Sequence, residues 1–79
     1  MTRRVLVVGL RMTGLATARA LLAGGDTVTV VEEHPGQPGY DDRVDEVLDA
    51  GAVLVESPTS AEWPDLVAAH DLVVRSEEH

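Results

Sequence analysis

The chain begins with a pattern of strand, turn and helix. Residues 5–14 read VLVVGLRMTG, an unbroken apolar run followed by a glycine, with a second glycine where a helical pattern begins. An unbroken Val/Leu run is typical of a parallel strand that is buried on both faces of its sheet. Gly9 allows a sharp turn, and the helix that begins near Thr13 directs its unpaired N–H groups and positive dipole end over that turn. This order predicts an anion site, most often one for a nucleotide diphosphate.

The glycine spacing of this turn departs from the dinucleotide fingerprint Gly-x-Gly-x-x-Gly. The three positions hold Gly9, Arg11 and Gly14. The missing second glycine is the one that lets a pyrophosphate approach the backbone closely. Arg11 either holds an anion with its side chain or blocks a dinucleotide. The alternative is that both glycines only form a tight turn, but the order of strand, turn and helix favours a nucleotide-type site over it.

Length and composition limit the fold and its setting. The 79 residues form a single domain, 1–79, which buries only roughly 60% of its unfolded surface. The absence of cysteine excludes a disulfide framework and a thiolate metal site. No run approaches the roughly 18 to 20 apolar residues of a membrane span, and the Arg3-Arg4 start carries no signal-peptide pattern. We therefore expect a cytoplasmic location.

The charge balance excludes two classes of partner. The formal net charge is −8, from fourteen acidic and six basic residues, and a field of this sign repels nucleic acid and anionic membranes. All six basic residues are arginines, so there is no lysine for a P-loop or a Schiff base. The lack of Lys, Ile, Asn and Phe beside abundant Val, Ala, Asp and Gly is typical of a GC-rich bacterial genome.

The rest of the chain alternates strand and helix patterns. The predicted elements are strand 4–8, helix 13–23 with Leu15, Ala18 and Leu22 on one face, strand 27–31, a short helix capped by Asp41 or Asp42 and stopped by Gly51, strand 53–55, a helix that ends near His70, and strand 72–74. Such alternation forms right-handed βαβ units. We therefore predict an α/β, Rossmann-like, three-layer domain with a parallel sheet of about four strands in the order 3-2-1-4. The ligand crevice then lies outside the carboxyl ends of strands one and four.

An acidic segment follows the second strand. Glu32 lies 23 residues after Gly9, where a dinucleotide-binding half places the acid that accepts hydrogen bonds from a ribose. Its carboxylate is equally suited to accept from the N–H of a base. For Glu33 and His34 the alternative is a solvated strand end. Glu32 is therefore the candidate ligand residue of this segment.

Several of these segments together resemble a known family. VLVVGLRMTGLATARALL over 5–22, the acidic end of strand two, the Pro/Gly-rich loop 35–39 and DLVVRS over 71–76 are similar to the N-terminal domain of the Mur ligases, most closely the members that add D-glutamate. Gly-x-x-x-Thr-Gly and DLVV-x-S favour this family over generic dehydrogenases, and the resemblance spans nearly the whole chain. It implies a domain that binds the UDP end of UDP-N-acetylmuramoyl-L-alanine in peptidoglycan synthesis.

The resemblance also implies particular binding residues. They are Gly9, Arg11, Met12, Thr13, Gly14, Glu32, Glu33, His34 and Ser76. Met12 and Thr13 meet the diphosphate, while Glu32 lies at the uracil. Two positions depart from the family: Arg11 replaces the second turn glycine, and Ser76-Glu77-Glu78 replaces the Ser-Pro-Gly that touches the uracil. The family's ATP, magnesium and catalytic residues belong to later domains, so the resemblance implies a fragment or truncated relative that does not itself catalyse.

Two other interpretations stay open. The chain is alternatively an NAD(P)- or FAD-binding domain of an oxidoreductase or redox sensor, although Arg11 occupies the place where a dinucleotide needs close backbone approach. It is otherwise a non-binding interaction module whose ligand site Arg11 and Glu77-Glu78 have abolished. His34, His70 and His79 are too scattered to predict a metal site, and Tyr40 and Trp63 are expected to be packing residues. An uncovered edge at the fourth strand predicts a homodimer.

Overall fold

A four-stranded parallel sheet organises the chain. The computed structural model describes residues 2–75. Its elements in chain order are β1 Arg4–Val8, α1 Met12–Ala23, β2 Thr27–Glu32, α2 Tyr40–Asp49, β3 Val53–Glu56, α3 Trp63–Ala68 and β4 Leu72–Arg75. The strand order is β3-β2-β1-β4, and all three pairings are parallel. The predicted α/β fold and strand order are confirmed.

Helices cover both faces of the sheet, because successive side chains of a strand point to opposite faces. The larger core lies under α1 and α2 and contains Val5, Val7, Leu10, Ala18, Val28, Val30, Tyr40, Val47 and Ala52. The smaller core lies under α3 and contains Leu6, Val8 and Val31, with Val55, Trp63 and Leu66 packed against them. The three layers are therefore unequal, and most of the apolar burial is on the α1/α2 face.

Helix α1 packs through small residues. Gly14 and Ala18 are its buried positions, and Leu15 and Leu22 pack beside them against the larger core. The predicted apolar face is therefore confirmed. The helix begins at Met12, one residue before the predicted start, with Arg11 as its N-cap. Small buried side chains let a helix approach the sheet closely, and α1 begins only four residues after the end of β1.

The start of α2 corrects a prediction. Its N-cap is Gly39, in the left-handed region at φ +78°, rather than Asp41 or Asp42. The helix begins earlier because Tyr40 is buried in the larger core and donates a hydrogen bond from its hydroxyl to Glu56 Oε2 at 2.9 Å. Both aspartates fall in the first turn instead, where a negative charge still favours the helix dipole.

Helix α3 is shorter than predicted and ends at Ala68. The His70 ring lies against its last turn, with Nδ1–H donating to the Leu66 carbonyl at 2.6 Å and Nε2 within 2.9 Å of Thr29 Oγ1 on β2. The next residue, Asp71, already donates its N–H to the Arg4 carbonyl. The chain therefore leaves the helix early to reach the register of β4. Within residues 2–75, no helix has the length and apolar character that crossing a membrane requires.

Two arginine–aspartate pairs join the strands at the amino end of the sheet. Arg3 contacts Asp26 with Nη2 at 3.0 Å from Oδ2, and Asp71 Oδ2 accepts the Arg4 N–H at 2.9 Å. The Arg3 hydrogen bond lowers the pKa of Asp26, and the Arg4 N–H lowers the pKa of Asp71. Asp71 opens the DLVV-x-S phrase, so this residue acts at the end of the sheet opposite to the predicted crevice.

Candidate functional site

The turn between β1 and α1 is shaped by Gly9. This residue has φ +102°, a conformation that L side chains rarely adopt. Its N–H still donates to the Val31 carbonyl at 2.7 Å, so it continues the pairing of β1 with β2. The chain then passes through the fully buried Leu10 to Arg11, whose backbone is extended. The turn thus reverses direction within three residues and delivers the chain to α1.

The N-terminus of α1 carries no negative group of its own. Arg11 makes no side-chain capping hydrogen bond, and the first turn contains no acidic residue. The first backbone bond of the helix runs from the Leu15 N–H to the Arg11 carbonyl at 2.8 Å, and the Met12 side chain is 77% exposed. The positive end of the helix dipole therefore faces outward beside an exposed arginine, at the point where the strand order reverses.

The Leu10 peptide is held from both sides by side chains of other elements. Its N–H donates to Glu32 Oε1 at 3.0 Å, and its carbonyl accepts from Arg43 Nε of α2 at 2.8 Å. The other carboxylate oxygen, Glu32 Oε2, accepts the His34 N–H at 2.9 Å. Glu32 is only 6% exposed. We call Glu32, Leu10 and Arg43 the Leu10 clamp, since together they fix the turn to β2 and α2.

A charged pair spans the carboxyl end of β1. Arg75 ends β4 and Glu33 follows β2, the two strands that flank β1. Arg75 Nη1 lies 3.8 Å from Glu33 Oε1, and both side chains are exposed. A surface pair at this distance contributes little stability. It does place a second arginine, besides Arg11, at the carboxyl end of the sheet.

The structure brings most of the predicted binding residues to this end of the sheet. Five lie in the turn and the first turn of α1: Gly9, Arg11, Met12, Thr13 and Gly14. Glu32, Glu33 and His34 lie where β2 ends. Within these groups Gly14 and Glu32 are buried, whereas Arg11, Met12, Thr13, Glu33 and His34 are exposed. Ser76 lies outside the described residues. That these residues contact a ligand stays a prediction.

Sequence reasoning missed two arginines at the site. Arg43 lies in a helix rich in acids, and no local pattern signals that it reaches Leu10 from 33 positions away. Arg75 lies within DLVVRS, where the interpretation singled out Ser76. The parallel pairing of β1 with β4 sets Arg75 beside Val8, and no local sequence pattern signals this register.

Other surface features lie away from this turn. A hollow of about 280 Å³ is lined by Glu62, Asp65, Leu66 and Ala69, and one of about 440 Å³ by Arg19, Glu46, Asp49 and Ala50. Their acidic linings do not suit an anion. Within the described part of the chain, no group of three or more His, Cys, Asp or Glu side chains is arranged to hold a metal ion.

A scan against protein-family models finds no match, and comparisons with curated proteins and with solved structures find none either. The resemblance to the Mur ligases therefore stays a prediction.

Proposed function

We propose that this domain binds a uridine diphosphate group over the turn between β1 and α1. The observation that carries the proposal is the outward-facing start of α1, which has no acidic residue in its first turn and lies where the strand order reverses. Helix N-termini in this position bind phosphate through backbone N–H groups and the helix dipole. The glycine conformation at Gly9 brings the backbone to the place where such a group sits.

The local charges support an anion at this place despite the net charge of −8. Arg11 lies exposed beside the start of α1, while the charge of Arg75 is balanced by its pair with Glu33. An anion at α1 is therefore attracted locally, although the acidic surface elsewhere repels it. The exposed Glu33 and His34 lie at the end of β2, where the base is expected, and a carboxylate there accepts from the N–H of uracil.

The resemblance to the Mur ligases supports a narrower proposal. In that interpretation, the domain holds the UDP end of a UDP-N-acetylmuramoyl substrate for an amide ligase of peptidoglycan synthesis. It positions substrate in the cytoplasm and does not catalyse, and the ATP and magnesium of the reaction are held by other domains of the full-length ligase.

A titration followed by ¹⁵N–¹H NMR tests the ligand class. UDP and a UDP-sugar are expected to shift the amide signals of Met12, Thr13 and Gly14, whereas NAD and ATP cause smaller changes. An equal or larger response to NAD contradicts the proposal and favours a dinucleotide domain of an oxidoreductase. No response to any of the four favours an interaction module without a ligand.

The exposed arginine of the turn provides a second test. If Arg11 makes a charge-assisted contact with the diphosphate, Arg11→Gln weakens UDP binding by about 1 to 3 kcal/mol. Arg19→Gln is the matched control, because Arg19 is also exposed, lies on α1 away from the turn and pairs with Glu46. Isothermal titration calorimetry measures both variants. Stronger binding in Arg11→Gln shows that the side chain obstructs the site, and equal binding shows that it points to solvent.

A further inference from the structure

In the Leu10 clamp, the buried Glu32 carboxylate binds backbone N–H groups of the protein, a role that its position at the end of β2 does not predict. An acid at the end of the second strand of this fold is expected to accept hydrogen bonds from a ribose. Here the two carboxylate oxygens accept the Leu10 and His34 N–H groups, and the side chain is almost fully buried. Little of the carboxylate is left for an incoming ligand.

The turn needs such support because of its own sequence. Glycine has the most conformational freedom of the residue types, so Gly9 alone does not hold the next peptide in one orientation. Its backbone also lies at a positive φ, which other residues adopt only at an energetic cost. Arg11 adds no capping bond. The Leu10 N–H and carbonyl are instead fixed by Glu32 from β2 and by Arg43 from α2. These bonds determine the direction in which the chain enters α1.

We propose that Glu32 and Arg43 are positioning residues for phosphate, which act through the Leu10 peptide and do not touch the ligand. This inference rests on the proposed function and extends it. The site then recognises the diphosphate through a turn that is already in its binding conformation, and a preorganised turn binds more tightly because less order is lost on binding. Inorganic pyrophosphate therefore occupies the same place without a nucleoside.

Calorimetry with two ligands separates positioning from contact. Glu32→Gln keeps the shape of the side chain but sets an NH₂ group against one of the two backbone donors. Loss of about one net hydrogen bond is expected to weaken binding about five-fold, and by the same factor for pyrophosphate and for UDP. Arg43→Gln is expected to behave likewise. Glu46→Gln and Arg19→Gln, which change an exposed pair between α1 and α2, are matched controls. Weaker UDP binding with unchanged pyrophosphate binding in Glu32→Gln overturns the inference, because it shows that Glu32 contacts the nucleoside.

Amide hydrogen exchange in the free protein provides a readout that needs no ligand. The Leu10 N–H is expected to exchange slowly in the wild type and to lose protection in Glu32→Gln, while the Val7 N–H in the middle of β1 remains protected. Unchanged protection at Leu10 shows that the clamp does not hold the turn and overturns the inference. If neither pyrophosphate nor UDP binds the wild type, the proposed function fails, whereas a loss of Leu10 protection still demonstrates the clamp. The two failures are therefore distinguishable.

Discussion

Replacing Gly9 with alanine tests the turn, because this change affects both the stability of the domain and its proposed site. Gly9 has φ +102°. A Cβ in a left-handed conformation costs roughly 1 to 2 kcal/mol. In a domain of this size each kcal/mol lowers Tm by roughly 4 to 8 °C, so the variant is expected to melt about 4 to 16 °C below the wild type.

Gly51→Ala is the matched control. Gly51 has φ +108°, nearly the same strain, and an added Cβ there meets no atom within 4 Å. It lies between α2 and the amino end of β3, whereas the turn lies at the carboxyl end of the sheet. Both variants are expected to lose similar stability in urea or thermal melts. Only Gly9→Ala is expected to weaken the binding of UDP, measured by calorimetry at a temperature where both variants are folded.

Two results refute this reasoning. Unchanged stability of Gly9→Ala means that the chain does not need a left-handed residue after β1. Equal loss of UDP binding in both variants means that the loss follows from general destabilisation rather than from the turn.

Three further outcomes are expected. Tyr40→Phe removes the hydrogen bond from the hydroxyl to Glu56 and is expected to lower the free energy of unfolding in urea by about 1 kcal/mol. Because burial raises the pKa of Tyr40, the stability of the wild type is expected to fall above about pH 10. A fall of the same size in Tyr40→Phe contradicts this assignment. The pKa of Asp71 is lowered by the Arg4 N–H, so its contribution to stability is present above about pH 4 and is lost as the pH falls further. Urea unfolding of Asp71→Asn is therefore expected to show a smaller loss of stability below about pH 4 than the wild type, and an equal loss contradicts this assignment. The edge of β4, where Leu72 and Val73 are exposed, is expected to pair two copies of the chain. Sedimentation should show association that increases with salt concentration, because salt screens the net charge of −8. A monomer at every salt concentration excludes this pairing.

The strands were predictable because their signal is local. A parallel strand buried on both faces is an apolar run, and Val5–Val8 and the Val-rich β2 show it directly. The alternation of strands and helices then determines the strand order. The start of α2 was not predictable in the same way, since two aspartates offered a side-chain cap, and the burial of Tyr40 in a distant core decided the boundary.

The site was only partly predictable. Gly9 follows β1 and Glu32 ends β2, and neighbouring parallel strands end at the same edge of a sheet. The sequence therefore predicted both residues at one end of the sheet. The contacts of Arg43 and Arg75 depend on how helices and strands pack, and all six arginines look alike in sequence. The burial of Glu32 was not predictable either, because an acid at the end of a strand is usually solvated. Its carboxylate is buried here because it accepts the Leu10 and His34 N–H groups.

The pairing of β1 with β4 has a consequence for the order in which the chain folds during synthesis. β1 is synthesised before the other three described strands and is an inner strand of the sheet, yet Arg4 is separated by 67 positions from its partner Asp71. At ribosomal rates the intervening chain takes about 3 to 13 s to synthesise. During that time one edge of β1 has no native partner. A sheet completed by such distant contacts folds slowly compared with a helical bundle of the same length, so the β1 edge of the nascent chain is expected to stay unpaired until β4 emerges.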